Sequence, residues 1–325
     1  MAVSGRCKRT GSSFTFTFEL MNWSFVVRHN PLLLRFLVAP LCLTPVEGFT
    51  NESPWYPGFT LQGVAGDYAG SSQRKHFYSE GLFFSTDWYE RYGITLGFNH
   101  SNIKFVNATN DIAQDALFAG LRVNLTPDLW NGRLGLRLDG HLINNDDTTR
   151  NTDDVKVVAP VVSFVPLDQT WSLEAGAAFS DYFDDLEVLQ FSPAIGFAFN
   201  EKSDWISLRP TLIDISNPGR AQGVDDTLAL DIKWSHWFAP NHPLRLHSLK
   251  LNGMVGEKIF GVDLDGASVY NLADTHQGSA SLGLEWQVGS QASILLMGGH
   301  EAYENKTIAD KYGSNSLYLS YSYHW

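Results

Sequence analysis

The chain is short of charge, of cysteine and of long apolar runs, and each shortage excludes something. Charged residues make up 18% of its 325 positions while aromatics make up 13%, the opposite of a disordered composition. Basic residues are scarce: 23 Lys and Arg stand against 35 Asp and Glu, a formal charge of −12. That balance argues against a nucleic-acid binder, because neutralising phosphates needs Lys and Arg. Two Cys cannot staple a small secreted scaffold. No run reaches the roughly 20 clean apolar residues of a spanning helix. Gly-rich phosphate loops, CxxC pairs and HExxH are absent too, so the sequence calls for no cofactor and no metal centre. What is plentiful is Trp (10) and Phe (21), in a chain whose mean hydropathy is only −0.14. Apolar and polar residues must therefore be finely interleaved rather than segregated into blocks.

The N-terminus stands apart. Residues 31–46 form a short apolar run broken by Arg35, Pro31, Pro40 and Pro45, with Arg28 before it and Val46-Glu47-Gly48 as a small-residue exit. This is the layout of a secretory signal peptide, and Met21 as the start gives one of normal length. The expected division is 1–48, an N-terminal extension plus signal peptide, and 49–325, the working protein. Cleavage after Gly48 removes Cys7 and Cys42, and leaves 18 basic against 33 acidic residues, a net of −15. Leu41 before Cys42 does not suit a lipoprotein cleavage site.

From residue 58 onward the dominant period is two. Leu134, Leu136, Leu138 and Leu142 alternate with Arg133, Gly135, Arg137, Asp139 and His141. The same rhythm runs through 117–125, 171–180, 227–234, 279–288 and 316–325. It is the signature of strands with one face in an apolar medium and the other in a polar one. A sandwich would use strands of about five or six residues; runs of about 10–13 suit tilted strands crossing a bilayer. About fourteen strands can be read, centred near residues 63, 82, 95, 120, 138, 160, 175, 193, 210, 232, 252, 282, 296 and 320, with twelve or sixteen as the neighbouring even counts. Connections alternate between short stretches (88–91, 126–132, 167–169, 200–204, 239–245, 289–291) and longer polar ones (100–114, 144–154, 180–187, 216–226, 259–276, 302–315). This asymmetry and an even count place both termini on the short-turn side. Trp88, Trp130, Trp171, Trp205, Trp237, Trp286 and Trp325 all fall at that side, where an indole with an apolar body and one N–H donor forms an interfacial girdle.

With these segments, the chain resembles a Gram-negative outer-membrane β-barrel of the broad porin and small-channel type, over about residues 56–325. The C-terminal segment Leu319-Ser320-Tyr321-Ser322-Tyr323-His324-Trp325 carries the likeness most specifically. In such proteins the last strand ends in an aromatic residue preceded by alternating apolar residues, and the barrel-assembly machinery reads that segment. Here Leu319, Tyr321, Tyr323 and Trp325 would form the signal, with Trp in place of the commoner Phe. The resemblance implies an all-β, transmembrane, antiparallel up-and-down barrel in a bacterial outer membrane. Its partners would be membrane lipid, lipopolysaccharide and the assembly machinery, and both termini would be periplasmic.

The favoured chemistry is passive passage of small solutes. Eight strands leave a filled interior and 16–18 an aqueous pore, so about fourteen suits a narrow lumen. Candidate lumen residues are Arg122, Arg133, Arg137, Asp139, Glu174, Arg209, Asp231, Lys233, Lys250 and Glu285, with Arg122 and Arg137 expected as a basic rung on adjacent strands. Charges at a constriction set selectivity, although mixed charges also pair and close a narrow barrel. A closed or structural barrel is therefore the alternative, and a secreted soluble β-protein the alternative outside the architecture. Enzymatic readings are weaker. His100-Ser101-Asn102 and His247-Ser248 resemble the outer-membrane phospholipase, whose His and Ser are one residue apart. Adjacent strand residues point to opposite faces, so neither pair is preorganised. Asp263-Leu264-Asp265 and Asp274-Thr275-His276 resemble omptin-protease spacing, but both fall in one expected loop, which reads as a solvated acidic loop. Acidic residues of the other loops, such as Asp146, Asp147, Asp184 and Asp185, match no dedicated Ca²⁺ spacing.

Overall fold

A computed structural model describes residues 55–107, 111–126, 130–147 and 150–325. The expected extension and signal peptide, 1–48, lie outside the described residues. Fourteen long strands form a closed antiparallel barrel. They are β1 (Trp55–Ala69), β2 (Arg74–Trp88), β3 (Tyr92–Phe105), β4 (Ile112–Leu125), β5 (Gly132–Asn145), β6 (Val155–Pro166), β7 (Trp171–Asp181), β8 (Glu187–Phe199), β9 (Asp204–Ile215), β10 (Asp226–Trp237), β11 (Leu246–Lys258), β14 (Thr275–Val288), β15 (Ala292–Asn305) and β16 (Asp310–His324). A two-residue hairpin, β12 (Val262–Asp263) with β13 (Ser268–Val269), interrupts the connection between β11 and β14. Each expected strand centre falls inside one barrel strand.

Closure joins β1 to β16 in continuous register from Gly58 opposite His324 to Ala69 opposite Gly313. Full closure leaves no unpaired edge, which is the condition for a sheet to sit in lipid. The terminal segment is part of this seam. Phe59 of β1 lies 6.0 Å from Tyr321, 5.9 Å from Tyr323 and 6.3 Å from Trp325 between ring centroids.

The alternation read from the sequence becomes two faces. Outward on β5 are Leu136, Leu138 and Leu142, each at least 40% exposed, while Asp139, His141 and Ile143 on the other face are at most 6% exposed. Leu134 to Leu142 spans eight residue steps, about 27 Å along the strand and about 20 Å along the axis of a tilted barrel. Leu96, Leu121, Leu189, Leu212, Leu228 and Leu282 continue the exposed apolar surface on other strands.

Three connections expected to be long are short, and one of them, between β7 and β8, covers only 182–186. Residues 302–305 and 310–315 belong to the β15–β16 ladder, which is paired out to Asn305 opposite Asp310, and the β3–β4 connection covers only 106–111. Polar residues there keep strand pairing because backbone hydrogen bonds do not depend on side-chain polarity. The longest loop-side connection, 259–274, does not project into solvent.

Candidate functional site

Residues 259–274 fold into the barrel and cross its lumen. The reason is visible on the wall. On the loop-side inward face an apolar patch is built by β6, β8 and β9: Val155, Val157, Ala159, Val161, Val188, Ile213 and Ile215 are almost fully buried. They need an apolar cover, and Ile259, Phe260, Val262 and Leu264 supply it in one buried cluster. Tyr182, from the β7–β8 loop, closes the cluster with its ring centroid 4.9 Å from that of Phe260.

Specific contacts fix the loop's register. Gln190 on β8 clamps the backbone of β12: its Nε2 donates to the Val262 carbonyl at 2.8 Å, and its Oε1 accepts from the Val262 N–H at 2.8 Å. Leu264 fills the space above Gly176 on β7, where any Cβ would collide with its Cδ1. The turn is tight because the Asp265 N–H donates to Asp263 Oδ1 at 2.9 Å, and a Cβ on Gly266 would strike the same carboxylate. On the returning limb, Asn271 donates to Gln114 of β4 at 2.7 Å.

The tip carries the charge. Arg209 reaches Glu174 at 2.8 Å and Asp265 at 2.7 Å, and Lys233 reaches the other Asp265 oxygen at 2.5 Å. Arg137 bonds Asp139 at 2.8 Å and donates to the Leu264 carbonyl. Burial alone would raise the Asp265 pKa, but Lys233 and Arg209 outweigh it and hold the carboxyl below its ordinary range. These residues lie towards the middle of their strands, so the charged cluster stands well inside the barrel.

All ten lumen candidates from the sequence lie on inward positions, as the register about their pairs shows. Arg137, Asp139, Glu174, Arg209 and Lys233 gather at the loop tip. Arg122 and Arg137 are directly opposite one another, a rung tolerated because Arg122 pairs with Asp87 and Arg137 with Asp139. Lys250 pairs with Glu285 at 3.1 Å, away from the tip, whereas Asp231, directly opposite Arg209, pairs with Lys258 at 2.5 Å. Arg133 stands apart at the turn-side mouth, beside Arg91 and Gln169. Sequence reasoning missed Gln190 and Gly176 altogether, and placed Asp263 and Asp265 in a solvated loop. The structure corrects that reading: Asp265 is a lumen residue held by two cations.

The other special pairs do not assemble catalytic geometry. His100 bonds Asp115 at 2.7 Å, while Ser101, on the opposite face, bonds Ser79 at 2.8 Å. Ser248 donates to Glu285 at 2.7 Å, with His247 on the opposite face. Asp274 forms an ion pair with Arg74 at 2.6 Å.

The Trp ring divides. Trp88, Trp171, Trp286 and Trp325 take outward positions at the turn side, and Trp130 lies 6.2 Å from outward-facing Phe164. Trp55 and Trp234, not singled out from sequence, share that face. Trp205 and Trp237 do not. Trp205 lies over Gly196 and keeps step with Arg209, and Trp237 keeps step with Lys233. Both therefore face inward, because each is an even number of residues from a lumen cation.

Comparison with protein families and with curated proteins finds no match. Solved structures do match in fold. The toluene transporter TodX of Pseudomonas putida aligns with a TM-score of 0.53 at 10% identity, over 84% of this chain and 89% of that one. A deletion mutant of TodX, described as a monoaromatic hydrocarbon channel, aligns at 0.50 with 10% identity, over 84% and 90%. A FadL homologue of Pseudomonas aeruginosa aligns at 0.47 with 10% identity, over 84% and 90%. The chain thus shares the closed antiparallel barrel fold of Gram-negative outer-membrane proteins.

Proposed function

We propose that the chain is an integral outer-membrane barrel that passes small solutes through a lumen narrowed by its own inward loop. The observation that carries this reading is one-sidedness. The loop covers the apolar patch of β6, β8 and β9 in one buried cluster, whereas the opposite wall lies outside that cluster and is mixed, with Val64, Phe77, Phe83 and Met297 inward beside polar groups. Its polar members include Thr60, Gln62, Ser79, Ser281 and Ser316, all half-buried, small or neutral groups suited to a wet surface. Between this wall and the loop lies a cavity of about 300 Å³. A loop that narrows without filling is how a mid-sized barrel sets an aperture.

The exposed apolar belt supports the membrane setting, since no soluble barrel leaves so many Leu facing water. The outward Trp residues support an interfacial anchor on the turn side, and the aromatic terminal segment at the β1–β16 seam supports recognition by the assembly machinery. With the turns periplasmic, the start of β1 and the end of β16, which meet at Gly58 and His324, lie on the periplasmic side. The shared fold with TodX is consistent with transport and does not carry over its hydrocarbon substrate. Reconstitution tests the reading. Folded protein in liposomes is expected to admit small neutral sugars and to exclude large oligosaccharides; vesicles as tight as protein-free controls would refute a pore.

A further inference from the structure

Glu301 differs from the inward carboxylates around it. Asp87, Asp139, Glu174, Asp231, Asp265, Asp274 and Glu285 each have a Lys or Arg partner within 4 Å. Among the described residues, Glu301 has none; nor has Asp263, whose Oδ1 instead accepts the Asp265 N–H in the loop turn. The contacts of Glu301 are hydroxyls: Tyr303 donates to Oε2 at 2.5 Å and Ser314 at 3.4 Å. The two cations lining the same cavity are already committed, Arg74 to Asp274 and Lys258 to Asp231.

The surroundings are aromatic. His276 stacks on Tyr303 with centroids 4.8 Å apart, and Tyr270 lies 5.8 Å from His276. Tyr303 stacks in turn on Tyr312 at 5.4 Å. Tyr270, His276, Tyr303 and Tyr68 line the cavity together with Glu301. The Tyr270 side of the stack is open, with that residue 40% exposed. The Nε2 of His276 is buried and has no hydrogen-bond partner among the described residues.

We propose that this cavity, between the inward loop and the β15–β16 wall, is a binding site for a small organic cation of the alkylammonium class. A carboxylate held among ring faces is short of a counter-charge, and an ammonium supplies it. The ring face of Tyr270, at the open end of the stack, attracts the same charge, and more strongly where water is sparse. A bare metal ion gains less here, because hydroxyls and aromatic faces give it too few hard oxygen ligands. The cavity of about 300 Å³ has room for such a ligand alongside water. Because the site is defined by binding, it stands whether or not the lumen conducts.

The test is equilibrium titration of the full folded barrel in detergent with choline, read by tyrosine and tryptophan fluorescence and by calorimetry. Choline's uncharged carbon isostere is the control. Native protein is expected to bind choline at least roughly tenfold more tightly than the isostere, a difference of about one decade in Kd. Glu301→Gln, which keeps shape and removes charge, is expected to abolish that preference, and Tyr270→Leu to weaken choline binding. Equal affinity for choline and the isostere in native protein would overturn the proposal without any variant. So would choline binding unchanged in Glu301→Gln, or no choline binding at all.

Discussion

Leu264 occupies the volume that a side chain at Gly176 would need. One residue belongs to the loop tip and the other to the wall of β7, so the seat of the loop is built into the barrel as an absence. Gly176→Leu is expected to leave strand pairing intact, because the added group points inward, and to lift the tip from the wall. The mutant barrel should still migrate as a compact species on an unboiled gel and show larger single-channel conductance. Conductance equal to the native value would show that the loop does not rest there.

Gln190 makes the companion case. Its two hydrogen bonds to Val262 contribute about 1 kcal/mol each, so Gln190→Ala is expected to weaken loop docking by about 2 kcal/mol. Hydrogen exchange should then quicken at the Val262 amide and remain slow in β8. An unchanged Val262 amide would remove the clamp from the account.

Asp265 neutralises two lumen cations at once. In Asp265→Asn, Arg209 retains Glu174, but Lys233 loses its ion-pair partner. The constriction gains one net positive charge, and reversal potentials across a salt gradient are expected to shift towards anions. An unshifted reversal potential would place the conducting path away from the tip.

Acid should release the same tip. A carboxyl whose folded pKa lies below its unfolded one stabilises docking fully above the unfolded value. That contribution is lost as pH falls through the folded value. Asp265 is lowered in this sense by Lys233 and Arg209, with Arg137, Asp263 and Glu174 as its other charged neighbours. Loop docking is therefore expected to be constant above about pH 4, the ordinary aspartate range, and to weaken below it. Current noise rising reversibly on acidification below that point would agree; noise appearing on alkalinisation would have the wrong sign.

Much of this was legible in the sequence. Leu134, Leu136, Leu138 and Leu142 announce a lipid-facing strand because strand parity is rigid, and the terminal aromatics mark the closing seam. The Trp residues were legible only in part: position along the strand placed all seven at the turn rim, but parity separates Trp205 and Trp237 from the outward set. The inward loop was hidden because Asp263 and Asp265 have the polarity of a solvated loop. Its trace lay elsewhere. Val155, Val157, Ala159 and Val161 are apolar on the face of β6 that should meet water, and Ile259-Phe260-Gly261-Val262 is an apolar stretch in a loop. Two apolar surfaces that each lack a partner imply one another, but only topology shows that they meet. Gln190 and Gly176 carry no pattern of their own, since their roles exist only against Val262 and Leu264.

Residues 259–274, lying across the lumen, are expected to set the aperture of the barrel. The direct measurement is single-channel conductance in planar bilayers of native protein and of a variant in which residues 261–270 are replaced by a short Gly-Ser linker. Small, resolvable steps are expected from the native barrel and steps several times larger from the variant. Equal conductance in the two, or silence from both folded proteins, would contradict that role.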